Sequence, residues 1–141
     1  MERLPSVFQG DMSAASLLFK RDASGIDMAA LQGEIPKWLS SHSISAAVRE
    51  IEQLTGRVAK GVMVNRLDPG ISVPIHTDPD TGWLRYHLPL FTNPHAMWWD
   101  EDEGLLHMES GWWWGPVPYT KRHHVVNNGN TARYHLVVDV S

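Results

Sequence analysis

The chain has 141 residues, of which 43% are hydrophobic and 20% charged, with a formal net charge of -4. That length suits a single domain spanning 1–141, and the apolar fraction is enough for a packed core, so a second core and a disordered chain are both disfavoured. No basic block accompanies the charge, which removes the electrostatic footprint of a nucleic-acid or membrane-surface binder. No run of about 18 apolar residues is present to span a bilayer.

The first residues, MERLPSVFQGDMSAAS, lack a basic patch followed by a long apolar stretch, so the expected location is cytoplasmic. Cysteine is absent, which excludes a disulfide framework, a thiolate metal site and a cysteine nucleophile. Any metal must be held by nitrogen and oxygen.

In chain order, residues 1–59 read as a helical part. Residues 26–39 pattern as a weak helix interrupted by Gly33 and Pro36. In 43–55, Ile44, Ala47, Val48, Ile51 and Leu54 recur at three- and four-residue steps on one helical face, and Gly56 stops the helix. From residue 60 the pattern changes to short runs rich in Val, Leu, Ile and aromatics. The predicted strands are 61–67, 71–76, 83–91, 96–99, 104–108, 112–114, 123–127 and 133–140. Asp68-Pro69-Gly70 and Asn127-Asn128-Gly129-Asn130 are the clearest turns. The expected fold is mainly β (α+β), a jelly-roll, cupin-like double-stranded β-helix over 60–141 behind N-terminal helices. The chain has seven tryptophans, all but Trp38 between Trp83 and Trp114; they either fill the β core or line a substrate pocket.

His76, His87, His123 and His135 fall in or at the ends of these strands, beside Asp78, Arg85 and Arg133. Side chains two apart in extended backbone point the same way, so His76 and Asp78 can reach one ion, with His123 as a third ligand delivered by a closed barrel. Two imidazoles and a carboxylate on one face of an octahedron suit a non-haem Fe(II) oxygenase. His42, His95 and His107 read as ordinary histidines satisfied by neighbours. Arg133, if buried in a β core, requires an anionic partner, and its planar fork suits a dicarboxylate.

These residues resemble the aspartyl/asparaginyl β-hydroxylase family of 2-oxoglutarate-dependent oxygenases. The resemblance is carried by 65–78 (NRLDPGISVPIHTD), 85–90 (RYHLPL), 123–129 (HHVVNNG) and 133–140 (RYHLVVDV), four blocks in the same order. It implies His76 and His123 as histidine ligands, with Asp78 completing the triad. Arg133 would hold the distal carboxylate of 2-oxoglutarate, and Arg85 and His87 would contact the cosubstrate near the metal. Asn65 stands where the family places a small polar contact to the cosubstrate. Counting back from Gly129 selects His123; a register one residue off would select His124.

The implied activity uses Fe(II), 2-oxoglutarate and O2 to hydroxylate a C–H bond, with succinate and CO2 as co-products. The chain is short for the family, which favours an amino acid, a small metabolite or a peptide as substrate over a large folded protein. Two rivals remain: a cupin-like isomerase, epimerase or dioxygenase that does not use 2-oxoglutarate, and a non-catalytic domain in which Arg133 binds a carboxylate.

Overall fold

The computed structural model describes residues 1–7, 31–33 and 41–141. Its elements are β1 (Glu2–Pro5), β2 (Leu31–Gly33), α1 (Ser41–Thr55), β3 (Ala59–Leu67), β4 (Ser72–His76), β5 (Leu84–Phe91), β6 (Ala96–Asp100), β7 (Gly104–Leu106), β8 (Trp112–Gly115), β9 (His123–Asn127) and β10 (Arg133–Val140). They form a six-stranded sheet in the order β1-β8-β5-β10-β3-β2 and a four-stranded sheet in the order β4-β9-β6-β7. Two mainly antiparallel sheets facing each other make the expected jelly roll.

Strict alternation on the larger sheet builds two different surfaces. On β10, Leu136, Val138 and Val140 join Val64 of β3, Tyr86, Leu88 and Leu90 of β5, Trp113 of β8, and the Ile44, Ala47, Val48 and Ile51 face of α1 in one apolar core. The opposite parity carries Arg133, His135, Val137 and Asp139 on β10, Arg85 and His87 on β5, and Met63 and Asn65 on β3. Register locks the strands together, with His87 opposite Val137 and Arg85 opposite Asp139 across the β5–β10 pair. Asn65 lies opposite His135 across the β3–β10 pair. α1 thus covers one face of the sheet while the other face looks toward the four-stranded sheet.

The helix ends as its sequence demands. Gly56 adopts φ of 66° and donates its N–H to the Glu52 carbonyl at 2.8 Å, a left-handed closure that a side chain would strain. Pro69 and Gly70 take the two central positions of a turn closed by the Ile71 N–H on the Asp68 carbonyl at 3.2 Å, and φ of 76° at Gly70 matches what proline-glycine turns require. Asn127, fully buried, fixes this turn to the next hairpin. Its amide donates to the Leu67 and Thr131 carbonyls at 2.9 and 2.8 Å, and its carbonyl oxygen accepts from Asn93 and from the Gly129 N–H.

Three expectations change. The weak helix over 26–39 is contradicted at Leu31–Gly33, which pairs in parallel with β3; a three-residue strand at a sheet edge has no periodicity of its own to announce it. The remainder of that segment lies outside the described residues. β1, unforeseen, pairs with the tryptophan strand β8, and its four residues ERLP carry no alternation. Leu54 leaves the core stripe and is 41% exposed, whereas Ile44 and Ile51 are 0% exposed, because α1 rests on the sheet along a narrower line than its apolar residues could fill.

Ile51→Ala is therefore expected to lower the unfolding free energy by about 2–5 kcal/mol, while Leu54→Ala costs under about 1 kcal/mol. Urea titrations of the two variants measure the difference, and equal losses would contradict this placement of the helix.

Candidate metal centre

His76 ends β4 and His123 begins β9, and the two are directly paired across the antiparallel ladder, beyond a register shift in β4 after Val73. Their ring centroids lie 4.3 Å apart. Asp78 is beyond the end of the strand. Its backbone N–H is held by the Tyr119 carbonyl at 2.9 Å, so a loop contact aims the carboxylate where an extension of β4 was expected to. The ligand atoms of His76, Asp78 and His123 all lie within 4.8 Å of one another.

Protonation is fixed by the backbone. His76 Nδ1 faces the Pro74 carbonyl at 2.7 Å and His123 Nδ1 faces the Lys121 carbonyl at 2.8 Å. A carbonyl only accepts, so Nδ1 is the donor in each ring and Nε2 is the nitrogen left to bind a metal. Both Nε2 atoms point at the Asp78 carboxylate, at 3.6 and 3.4 Å. Two ring nitrogens and a carboxylate converging in this way can hold a cation between them. Imidazoles oriented by a backbone carbonyl are also the usual arrangement of metal-bound histidines, so the donor set fits a metal ion held by two nitrogens and a carboxylate.

His124, one residue on, points away and packs against Trp99, with ring centroids at 5.5 Å. The structure thus brings His123 to the cluster. His107 donates to the Ala96 carbonyl at 2.8 Å and His95 is exposed on a turn, as expected of bystanders.

The cluster opens on a cavity of about 440 Å³ that is also lined by Met63, Asn65, Val73, Arg85, His87, Trp98, Val125 and Arg133. Its two arginines differ. Arg85 makes a two-pronged pair with Asp139, Nε to Oδ1 at 2.8 Å and an Nη to Oδ2 at 3.0 Å, and its other Nη reaches Asp78 at 3.3 Å. This bond to Asp139 raises its pKa, and the guanidinium also lies over the Tyr119 ring. Arg85 is committed to protein carboxylates, one of them the metal-facing Asp78.

Arg133 is 5% exposed. Burial alone pulls its pKa down to about 10, and no carboxylate among the described residues offsets the loss of water. Beside it, buried His87 and His135 are joined by a hydrogen bond between their Nδ1 atoms at 3.0 Å, one ring donating and the other accepting. Burial first, then the nearby Arg133 charge, holds both rings well below the ordinary histidine range.

Sequence reasoning missed Asp139 and Tyr119 as parts of the site, and left open which of the tryptophans, Trp98 among them, would line it. Asp139 had a usable signal, since it shares strand parity with Arg133 and interrupts the apolar second half of β10. Tyr119 lies in an irregular loop, and nothing local separates Trp98 from its neighbours. Among the described tryptophans, Trp113 and Trp114 fill the cores, and Trp98, part of the second core, also lines the cavity, so both readings of the cluster apply.

A jelly roll carrying two histidines and an aspartate on one side of its cavity defines a class, that of proteins with a facial triad for a catalytic metal. The chain belongs to the aspartyl/asparaginyl β-hydroxylase family, whose model matches residues 40–141. Family and triad together make it a metal-dependent oxygenase. No curated protein matches the chain.

Among solved structures, a non-haem monooxygenase, the ThoJ–nickel complex, is similar over 98% of this chain and 72% of its own, at 13% identity and a TM-score of 0.55. That likeness bears on the fold alone. A predicted oxalate decarboxylase from Thermotoga maritima is 20% identical over 65% of this chain and 72% of its own, with a TM-score of 0.45. A cupin domain from Bordetella pertussis is 17% identical over 60% and 93%, with a TM-score of 0.44. No helix among the described residues is long and apolar enough to cross a membrane.

Two outcomes follow from this geometry. Alanine at His76, Asp78 or His123 is expected to abolish measurable Ni(II) binding by calorimetry, whereas His124→Ala keeps it; the reverse at 123 and 124 would overturn the ligand set. The histidine pair also makes stability depend on pH. In the unfolded chain both rings take up protons near 6.5, but the folded protein refuses them. The folded state is thus favoured above pH 6.5 and loses about 1–2 kcal/mol per pH unit as pH falls from there to about 5. Urea midpoints at pH 7.5 and 5.5 measure this, and a flat profile would contradict the buried neutral pair.

Proposed function

We propose that the chain is an Fe(II)- and 2-oxoglutarate-dependent hydroxylase acting on a C–H bond of an amino acid, a peptide or a small metabolite. The observation that carries this reading is Arg133, a buried guanidinium on the cavity wall with no carboxylate partner among the described residues. A fold keeps such a charge out of water at a cost of several kcal/mol unless something anionic arrives to meet it. A dicarboxylate bound at the metal by its 2-oxo acid end would bring its far carboxylate to that place.

His76, Asp78 and His123 would hold the iron by Nε2, a carboxylate oxygen and Nε2. Bound iron supplies the oxidation that couples loss of CO2 from 2-oxoglutarate, giving succinate, to insertion of one oxygen atom of O2 into the substrate. Arg133 binds the far carboxylate in a fork geometry. His87 and Asn65 lie on the same wall and offer neutral hydrogen bonds to the cosubstrate. Arg85, already paired with Asp139, also donates to the Asp78 carboxylate and holds it in place. Met63, Val73, Val125 and Trp98 line the rest of the cavity with apolar surface, which excludes water and leaves room for a substrate C–H bond beside the metal.

Succinate release from 2-oxoglutarate, with Fe(II) and ascorbate present, is the expected activity. Arg133→Met is expected to raise the 2-oxoglutarate requirement roughly 10- to 100-fold through loss of a charge-assisted pair. The same change should raise the thermal midpoint of the metal-free protein, because it removes a buried unpaired charge. No turnover and no 2-oxoglutarate binding in the metal-loaded wild type would sink the proposal, and a variant with unchanged 2-oxoglutarate dependence would remove Arg133 from it.

A further inference from the structure

We infer that Trp98, held in its plane by Asp100, is a positioning residue for the metal ligand His123. The inference rests on the reading of His76, Asp78 and His123 as a metal site and adds residues that neither the family motifs nor the triad includes.

His123 needs more restraint than its hydrogen bond provides. The bond from Nδ1 to the Lys121 carbonyl at 2.8 Å fixes the tautomer, but a single bond of this kind leaves the ring free to swing about it. Trp98 supplies the missing restraint. Its indole lies parallel to the His123 ring, at an interplanar angle of 11° and a centroid distance of 5.0 Å, so the imidazole has one plane in which it keeps full contact. Trp98 is itself 5% exposed and touches His87 edge-on at 5.6 Å. It therefore separates the ligand His123 from the histidine beside Arg133 while lining the cavity.

The indole is anchored in turn. Its Nε1–H donates to Asp100 Oδ2 at 2.7 Å, and Asp100, fully buried, uses Oδ1 to accept the backbone N–H groups of Asp102 and Glu103 at 2.9 and 2.7 Å. Asp100 is also the β6 residue paired directly with His123 on β9. One carboxylate thus caps the turn after β6 with one oxygen and orients the aromatic platform with the other. An ion-bearing imidazole set by a hydrogen bond on one nitrogen and by a flat, anchored ring on its face loses little freedom when it takes up metal. Outer partners of this kind commonly contribute 10- to 100-fold to affinity.

Trp99 provides an internal control. It is the adjacent residue, its ring tilts against His124 at 38°, and it lies on the other face of β6, so its removal tests loss of a large side chain without loss of the platform.

The test uses Co(II) as the probe, with affinity from competition titration and geometry from the visible absorption band, both read without turnover. Asp100→Asn keeps an oxygen for the turn but presents an amide to the indole N–H. Asp100→Asn and Trp98→Leu are both expected to weaken Co(II) binding roughly 10-fold or more and to change the band. Trp98→Phe, which keeps an aromatic face but has no N–H for Asp100 to hold, should show a clear but smaller loss than Trp98→Leu, and Trp99→Leu should match the unaltered chain in both readouts. Thermal unfolding identifies which variants are folded, and Asp100→Asn with Trp98→Phe suffices if Trp98→Leu is not.

Folded Asp100→Asn and Trp98 variants with the unaltered affinity and band would overturn the positioning role while leaving the metal site standing. Equal loss in Trp99→Leu would likewise overturn it, as a nonspecific packing effect. Failure of the unaltered chain to bind Co(II) at all would overturn the metal site and this inference with it.

Discussion

The site depends on the pairing of β4 with β9, which sets His76 opposite His123. Antiparallel neighbours at one register position bring two side chains within ligand distance of a common point, here from residues far apart in the chain. The pairing is held at its far end by Asn127, whose buried amide ties the Asp68-Pro69-Gly70 turn to the β9–β10 hairpin. At its near end, the backbone N–H of Asp78 on the Tyr119 carbonyl turns the third ligand inward. A slip of one residue in β9 would present His124 and turn His123 to the outside, because strand parity reverses every side chain together.

Around that pairing the two sheets divide the electrostatics. The larger sheet turns apolar residues to α1 and a ladder of charged and titratable residues to the cavity. Within the ladder, Arg85 is neutralised by Asp139 and steadies Asp78, so its charge serves the metal side. Arg133 has no such partner among the described residues, and its charge adds to the burial that holds His87 and His135 well below the ordinary histidine range. The stability lost by burying that charge and by holding two histidines neutral is offset by the continuous apolar core under α1. Function and stability therefore occupy opposite faces of the same strands.

Much of this was legible in the sequence because it is local. The helix stripe, the two turns and the strands 123–127 and 133–140 follow from periodicity and turn chemistry within a few residues, and the bounds of those two strands agree with the structure. The triad was legible as spacing plus family resemblance, yet what brings His123 rather than His124 to the cluster is its cross-strand partner His76, which is remote in sequence. β1 and β2 were unreadable because their short edge strands acquire shape only from β8 and β3. Asp139 and Tyr119 were missed, and Trp98 not singled out from the other tryptophans, for a similar reason: each matters through a partner, Arg85, Asp78 or His123, that only the folded sheets bring near.

In the proposed reaction this cavity joins a 2-oxo dicarboxylate on Arg133 to dioxygen at the His76–Asp78–His123 centre. Supplying the Fe(II)-loaded protein with 2-oxoglutarate under 18O2 and weighing the products by mass spectrometry examines both halves at once. Succinate carrying one 18O atom is expected, and none from His123→Ala. Unlabelled succinate, or none from the unaltered chain, would contradict the proposed reaction.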